Sequence, residues 1–290
     1  MNKITLIAPA KVNLYLKIVG KREDGYHELD TLFHPFPALA DTLEITETGE
    51  GCTIHCEQFD LPAEDNLIYK AWDKYAEATG FRPGLHIELT KRIPTGAGLG
   101  GGSSDAASML RFLNKHPDSP GLEQDKINTL AAGLGADVPF FLLDGPAWAK
   151  GIGEILSPCE VDLSGLTALL ACPDVHVNTV WAYKAWSSRD KSTNLKKSSG
   201  FNLTTPASGN NRTASKTRVT LFNDFEEVVL PKFPKIRETK EYLLKNGACG
   251  AVMSGSGASV ISFFNEREAA EKTASGLKAI NIDSVLHTFS

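Results

Sequence analysis

Apolar and polar residues alternate along several stretches of the chain, as is typical of half-buried β-strands. Leu14, Leu16 and Ile18 occupy every second position of residues 12–19, which we therefore predict to be a strand. Similar extended or continuously apolar stretches predict further strands at residues 4–8, 26–36, 41–46, 53–56, 85–89, 166–171, 251–253, 259–264 and 285–289.

A period of three to four residues predicts helices between these strands. Leu67, Ala71 and Tyr75 share one face of a helix over residues 66–79, and Gly80 can end it. Further helices are predicted at residues 106–114, 125–134, 179–186, 233–246 and 266–277. Because helices and strands mix in both halves without strict alternation, the pattern favours an α+β fold.

The bulk composition is that of a soluble globular protein of one large or two ordinary domains. The 290 residues are 42% hydrophobic and 22% charged, and the formal net charge of −5 argues against a general nucleic-acid binder. No apolar run approaches the roughly 20 residues of a membrane helix. The first residues lead directly into a strand pattern, so we expect no targeting segment and a cytoplasmic location.

The cysteine content is five, an odd number, which suits reduced thiols better than a disulfide scaffold. Cys52 and Cys56 lie near His55, so a metal site is one interpretation of this stretch. No second pair follows downstream, and Cys52, Ile54 and Cys56 alternate as one face of a strand. We favour the strand.

Residues 187–218 differ from the rest of the chain. They contain few large apolar residues and seven Lys or Arg against one Asp. Such a segment buries too little surface to offset the entropy of ordering, so we expect a flexible basic insertion. The alternative is a basic lid that attracts an anionic substrate.

Residues 96–105 form the most informative segment, because five of the ten are glycine and a helical pattern follows. Ser103, Ser104 and Asp105 are residue types that cap a helix start. A backbone without Cβ atoms can approach a ligand closely, and the first turn of a helix favours an anion. We therefore expect this loop to bind phosphate.

Three simpler interpretations of the loop fit less well. A Walker A loop requires a lysine where Gly102 stands. Gly96, Gly98 and Gly101 match a dinucleotide fingerprint, but no acidic residue ends a following strand about 20 residues on. A plain solvated turn would not need so many glycines, each of which raises the entropy lost on folding.

The loop, with its flanks at residues 94–107, resembles the phosphate loop of the GHMP kinase superfamily. Residues 9–14, 25–29 and 135–140 resemble the superfamily members that act on a cytidylyl-linked methylerythritol, and residues 255–260 resemble the superfamily's C-terminal glycine motif. The resemblance implies an α+β fold of two domains with the active cleft between them. Residues 1–159 would be similar to ribosomal protein S5 domain 2, and residues 160–290 would be ferredoxin-like.

The resemblance also implies an activity. It is the transfer of the γ-phosphoryl group of ATP, with Mg²⁺, to the 2-hydroxyl of that cytidylyl alcohol in non-mevalonate isoprenoid biosynthesis. The alternatives are a homoserine or mevalonate type of kinase, and a non-catalytic nucleotide-binding module. Tyr26 and His27 argue against the first, and the presence of both Lys11 and Asp137 argues against the second. We expect no nucleic-acid or membrane partner.

Lys11 and Asp137 match the active pair of the family. A carboxylate can take or orient the proton of an alcohol, and a nearby cation can stabilise the developing charge. Taken alone, Lys11 could be an ordinary strand lysine and Asp137 a helix cap. The remaining candidates are the ATP-binding residues Pro94, Thr95, Gly96, Ala97, Gly98, Leu99, Gly100, Gly101, Gly102, Ser103 and Ser104. We assign no metal ligand from the sequence.

The candidate substrate-binding residues are Asn13, Tyr26, His27, Thr179, Tyr183, Gly255 and Ser256. Tyr26 is expected to stack on the base with Tyr183 facing it, and His27 to hydrogen-bond the pyrimidine edge. Asn13 would meet the erythritol or its phosphates. The plainer roles are a strand-edge aromatic for Tyr26, a turn donor for His27 and helix packing for Tyr183. Gly255 and Ser256 could equally belong to a simple turn between strands.

Overall fold

The computed structural model describes residues 3–58, 62–189, 202–206 and 216–289. The chain forms two compact units that are both discontinuous in sequence. The first consists of Met1–Lys11, Leu39–Thr95 and Gly100–Asp144, and the second of Val12–Ala38, Gly96–Leu99 and Gly145–Ser290. These units are defined by contacts, and they do not coincide with the domains that the family resemblance predicts to meet near Cys159.

Two long strands contribute residues to both units. Strand β1 is Lys3–Lys21 and β2 is His27–Thr48. We expected each as two shorter strands, and the first break was placed around Pro9. The strand continues because proline fits extended backbone and lacks only an N–H donor.

The remaining elements include every other predicted helix and strand. The strands are β3 Cys52–His55, β4 Gly84–Thr90, β5 Ala147–Lys150, β6 Ile155–Pro158, β7 Thr167–Cys172, β8 Asn202–Pro206, β9 Lys216–Thr220, β10 Phe222–Asn223, β11 Gly250–Met253, β12 Val260–Phe264 and β13 Asp283–Thr288. The helices are α1 Leu67–Thr79, α2 Gly101–Lys115, α3 Gln124–Leu134, α4 Thr179–Ser187, α5 Glu226–Lys232, α6 Pro234–Lys245 and α7 Arg267–Ala279. Short 3-10 helices lie at Ala63–Asp65 and Pro139–Leu142. The patterns did not predict β5, β6, β8, β9, β10 or α5.

The first unit packs α1, α2 and α3 with the strands β2, β4 and β3. In this unit β2 pairs antiparallel with β4, and β3 pairs parallel with β4. Helix α1 begins one residue later than predicted and ends at Thr79 as predicted. The side chain of Asn66 accepts the N–H of Ile68 at 2.9 Å, and Gly80 ends the helix at a φ of +75°. The apolar residues Leu43, Ile45 and Leu110 are fully buried in this core.

The second unit contains an antiparallel sheet in the order β11-β12-β7-β13. Along the chain these strands and their helices alternate as β-α-β-β-α-β, with α4, α5 and α6 in the first connection and α7 in the second. This is the ferredoxin-like arrangement that we predicted. Leu169, Val260, Phe264, Leu243 and Leu277 are buried together between sheet and helices.

The segment that we predicted as a basic insertion is described in part. Its residues 202–206 pair antiparallel with residues 216–220 as β8 and β9. Residues 190–201 and 207–215 lie outside the described residues. Within the part of the chain that the structure describes, no helix combines the length and apolarity needed to cross a membrane.

Candidate active site

Lys11 and Asp137 come together in the first unit from segments far apart in sequence. The ammonium Nζ of Lys11 lies 3.3 Å from Oδ2 of Asp137. The side chain of Lys11 is 4% exposed, whereas that of Asp137 is 33% exposed. A buried ammonium thus faces a carboxylate that solvent, or a ligand, can reach. This pair has the composition needed to hold and polarise a hydroxyl group.

Buried side chains anchor the turn that carries Asp137. Val138 and Phe140 are buried, and Phe141 lies in the 3-10 helix Pro139–Leu142, which contacts α2. A Cβ added to Gly100 would lie 2.9 Å from the Phe141 ring and 3.3 Å from Cγ of Lys11. Gly100 also has a φ of +72°, so only glycine fits this position comfortably. The end of the glycine loop therefore packs against the stem of Lys11.

Helix α2 begins inside the glycine-rich segment, earlier than predicted. Its N-cap is Gly100, and no side chain caps the helix. The expectation that Ser103, Ser104 or Asp105 caps it is therefore wrong. These residues lie in the first turns, where the N–H of Ser104 donates to the carbonyl of Gly100 at 2.9 Å. The amides of the first turn therefore have no side-chain cap.

Two polar atoms of this helix start are buried without a hydrogen-bond partner. They are Oγ of Ser104 and Oδ1 of Asp105. Buried polar groups are nearly always satisfied in folded proteins, so unsatisfied ones mark places where water, an ion or a ligand is expected. Ser104 is one of the residues predicted to bind ATP, and Asp105 directly follows them.

The residues of the loop before Gly100 belong to the second unit. Ala97 and Leu99 are buried and anchor the loop. Oγ of Ser254 donates to the carbonyl of Gly98 at 2.9 Å. A Cβ on Gly98 would lie 2.1 Å from the Ser254 carbonyl oxygen, which no side chain tolerates. The glycine loop therefore packs directly against the second glycine motif.

Asn13 lies at this same contact. Its backbone N–H donates to Oγ of Ser254 at 3.1 Å, and its Nδ2 donates to Oγ1 of Thr31 at 2.9 Å. Asn13 is 2% exposed, and the bond to Thr31 holds its side chain in one orientation. Asn223 supports the neighbouring turn, where its Nδ2 donates to the carbonyls of Met253 and Gly255 at 2.6 and 2.7 Å.

Two of the predicted cytidine-binding residues, His27 and Tyr183, contact each other. The ring of His27 stacks on Tyr183 with centroids 4.8 Å apart, and its Nε2 lies 2.7 Å from Oγ of Ser187. Burial, with a smaller effect of Lys21, lowers the pKa of His27, so its imidazole is neutral at pH 7. The side chain of Tyr26 is instead 60% exposed. The structure thus brings Tyr183 to His27 and presents Tyr26 to solvent.

Thr179 and Ser256 also come together. Their hydroxyl oxygens lie 2.8 Å apart, which links the start of α4 to the second glycine motif. Ser256 is buried and Thr179 is exposed. The two hydroxyls form one polar group beside Gly255.

Sequence reasoning missed several supporting residues, among them Thr31, Asn223, Ser254 and Asp41. Only Asp41 carried a usable signal. The inward face of β2 reads Leu39, Asp41, Leu43, Ile45, so a carboxylate stands in an apolar row. A charge in such a row requires a buried partner.

Comparisons with known proteins identify the family of this chain. The family models described as GHMP kinases N terminal domain and GHMP kinases C terminal match residues 66–145 and 210–282. The 4-diphosphocytidyl-2-C-methyl-D-erythritol kinase of Solidesulfovibrio magneticus is 45% identical over 91% of this chain and 90% of the relative. The protein of the same name from Nitratidesulfovibrio vulgaris strain DP4 is 43% identical over 98% of both chains.

Solved structures extend the comparison. A crystal structure of 4-(cytidine 5'-diphospho)-2C-methyl-D-erythritol kinase is 34% identical, with a TM-score of 0.78 over 99% of this chain and 100% of that chain. A homoserine kinase from Cytophaga hutchinsonii is 20% identical, with a TM-score of 0.67 over 99% of this chain and 94% of that chain, and shows the fold alone. The chain belongs to the 4-diphosphocytidyl-2-C-methyl-D-erythritol kinase family of the GHMP kinases.

Proposed function

We propose that this protein transfers the γ-phosphoryl group of ATP to the 2-hydroxyl of 4-diphosphocytidyl-2-C-methyl-D-erythritol, a step in non-mevalonate isoprenoid biosynthesis. The relatives of that name cover nearly the whole chain. The observation that carries the proposal is the pairing of Lys11 with Asp137 at 3.3 Å, beside the glycine that ends the loop.

Lys11 and Asp137 act on the acceptor alcohol. Asp137 is exposed enough to accept a hydrogen bond from the hydroxyl, and so it orients the attacking oxygen and takes its proton as the bond to phosphorus forms. The buried ammonium of Lys11 keeps Asp137 in place and offsets the negative charge at the reacting oxygens. Because phosphoryl transfer passes through a loose transition state, positioning contributes more than proton removal.

The glycine loop holds the polyphosphate. The first amides of α2 have no acceptor within the helix, and the helix dipole adds a partial positive charge at this end. Gly96, Gly98 and Gly100 all have positive φ values, which turn the backbone in ways that side chains disfavour. Residues 95–103 thereby offer backbone N–H donors at close range to the phosphate oxygens, because Pro94 has no N–H and that of Ser104 bonds to Gly100.

Magnesium would be carried by the nucleotide. Among the described residues no group of three or more His, Cys, Asp or Glu could hold a metal ion alone. Mg²⁺ in kinases needs only one or two protein oxygens beside the phosphates. The unpartnered hydroxyl of Ser104 fits such a ligand, and the ion would neutralise charge on the β- and γ-phosphates.

The cytidylyl group is recognised through the residues around His27. Tyr26 stacks on the base and neutral His27 hydrogen-bonds the pyrimidine edge. The rigid Asn13 side chain meets the polyol or its phosphates, and the hydroxyls of Thr179 and Ser256 provide further polar contacts. Tyr183 supports His27 by stacking and extends the aromatic surface.

A coupled ADP-release assay tests the proposal. Purified protein with ATP and Mg²⁺ is offered the cytidylyl substrate, homoserine or mevalonate at equal concentrations. We expect turnover with the cytidylyl substrate and a kcat/KM at least about 10³-fold lower with the others, because polar sites strongly reject ligands that leave them unpaired. Equal or greater turnover with homoserine or mevalonate would assign the protein to another kinase type.

A further inference from the structure

A buried acid–base cluster lies behind the glycine loop in the first unit, and the mechanism above does not use it. Nζ of Lys91 donates to Oδ2 of Asp105 at 2.6 Å and also to Oδ2 of Asp41. The side chain of Asp41 is fully buried, and those of Asp105 and Lys91 are 4% and 11% exposed. Two carboxylates thus share one ammonium in a nearly dry environment.

The second oxygen of Asp41 binds the backbone where the loop begins. Its Oδ1 accepts the N–H of Arg92 at 2.6 Å and the N–H of Ile93 at 2.8 Å. Hydrogen bonds from two amides to one carboxylate are short and about twice as strong as neutral ones. Asp41 therefore fixes the two residues directly before Pro94.

The same carboxylate lies against the end of the loop. A Cβ on Gly101 would lie 3.0 Å from Cγ2 of Ile93 and 3.3 Å from Oδ2 of Asp41. One turn further along α2, Asp105 is bound to Asp41 through Lys91. The entry and the exit of the segment 94–100 are therefore held by a single side chain.

In this cluster, burial opposes the charges of Asp105 and Lys91, and the attraction between opposite charges favours them. Burial raises the pKa of Asp105 to about 7, against the attraction of Lys91 and with a further contribution from Asp41. Burial disfavours the charge of Lys91 too, but the two carboxylates outweigh it and raise its pKa. A buried ion cluster of this kind adds little net stability, whereas it can specify one geometry.

We propose that Asp41 is a positioning residue for the nucleotide, which locks both ends of the glycine loop so that its amides stay aligned for the polyphosphate. The inference rests on the proposed function only in taking ATP as the ligand of the loop. Asp41 acts through the backbone of Arg92 and Ile93 and through Lys91.

The test compares Asp41→Asn and Asp41→Ala with the wild type by calorimetric titration of a non-hydrolysable ATP analogue with Mg²⁺. Asn keeps one oxygen for the amides but loses the charge, and Ala loses both. Loss of hydrogen bonds to a charged group corresponds to about 10-fold to 100-fold in Kd, so we expect the Kd to rise in that range, more for Ala. The KM for the cytidylyl substrate should stay within about twofold.

Tyr75→Phe is the matched control for lost buried hydrogen bonds in the same unit. The hydroxyl of Tyr75 bonds to Asn114 Oδ1 at 3.0 Å, at the opposite end of α2, and Tyr75 is fully buried. This variant should lose stability and keep the wild-type Kd for the analogue. An unchanged Kd in both Asp41 variants, or equal rises in the nucleotide Kd and the substrate KM, would overturn the inference.

If neither variant folds, amide hydrogen exchange of the wild-type protein tests the same inference. The amides of Arg92 and Ile93 should exchange as slowly as those inside β4, with no nucleotide present, because a buried carboxylate holds them. Exchange at the rate of an open loop would contradict the inference. Nucleotide binding needs no phosphoryl transfer, so a wild type that binds the analogue but leaves the cytidylyl substrate unmodified refutes the proposed function alone.

Discussion

The two residues proposed to act on the alcohol differ in their exposure to solvent. Lys11 is buried while its partner Asp137 is one-third exposed, although both belong to one ion pair. The buried partner provides a fixed charge, and the exposed one provides a surface for the alcohol. Removal of either charge should therefore lower kcat, whereas removal of a residue that only binds the substrate should raise KM.

Asp137→Asn should lower kcat by about 10²- to 10⁴-fold, the usual contribution of a positioned acid or base. Asn keeps the size of the side chain but can neither take the proton nor form an ion pair with Lys11. The Kd for an ATP analogue should stay within about twofold of the wild type. Steady-state kinetics with calorimetry measures both values, and a near-normal kcat would remove Asp137 from the mechanism.

Tyr26→Leu separates base recognition from phosphate binding. Tyr26 is 60% exposed, so its loss should hardly affect the free energy of unfolding. A base–aromatic stack contributes about 1–3 kcal/mol, and the KM for the cytidylyl substrate should rise by about 10-fold to 100-fold. The KM for ATP serves as the internal control. Equal rises in both KM values would place the base elsewhere.

His34 makes the stability of the second unit depend on pH. Burial lowers its pKa from 6.5 to about 4, with a smaller effect of His287 in the same direction. The unfolded chain therefore binds a proton at a pH where the folded chain does not. Stability from neutral His34 is complete above pH 6.5 and is lost as the pH falls toward 4.

Denaturant titrations between pH 7 and pH 4 measure this effect. The free energy of unfolding should fall by up to about 3 kcal/mol from His34, at roughly 1.4 kcal/mol for each unit of pKa. His34→Gln removes the titrating group and should make the pH dependence shallower over the same range. Identical slopes in variant and wild type would show that His34 is not buried in its neutral form.

At the scale of elements, the backbone of the glycine loop at Gly98 packs closely on the backbone of Ser254. Gly98 has a φ of +76°, and a Cβ there would clash with the Ser254 carbonyl. Gly98→Ala should therefore lower kcat/KM for ATP by about 10²-fold or more, because a displacement of about 1 Å suffices for such a loss.

Gly133→Ala is the matched control for this substitution. Gly133 lies in α3 with open space around its Cα, and alanine is the better helix former by about 1 kcal/mol. This variant should be slightly more stable and fully active. A Gly98→Ala enzyme with the kinetics of Gly133→Ala would contradict the packing of the loop on the second glycine motif.

Local patterns predicted the elements where one physical signal dominates. Helix α1 has an amphipathic face, the N-cap Asn66 and the terminal Gly80, and its bounds differ from the prediction by one residue. The start of α2 was predicted too late because serine is a good N-cap residue. Gly100 is the N-cap instead, and the first amides of the helix have no side-chain cap. The short strands β5 and β6 were missed because they are too brief to establish a period.

The sequence predicted only those site residues that match a motif of a known family. The pairing of Lys11 with Asp137 followed from resemblance, because nothing in residues 11 and 137 alone links them. The hydrogen bonds of Asn13 to Thr31 and Ser254 depend on tertiary packing. Ser254 lies more than 200 residues from Asn13 in the sequence. Such contacts leave no local pattern.

For the whole molecule, the family relationship and the site geometry lead to one reaction. The relatives cover nearly the full chain, and the two glycine motifs contact each other at Gly98 and Gly255. The central claim is that phosphate is placed on one particular hydroxyl of the cytidylyl substrate. The branched carbon of that alcohol carries a methyl group and no hydrogen.

Proton-coupled phosphorus NMR of the reaction mixture tests this claim most directly. A phosphate on the 2-hydroxyl has no hydrogen on the adjoining carbon, so the account predicts a new phosphomonoester singlet, distinct from inorganic phosphate. The signal should form with ADP and be absent with Asp137→Asn. A doublet or triplet phosphomonoester, or ADP with inorganic phosphate alone, would contradict the account.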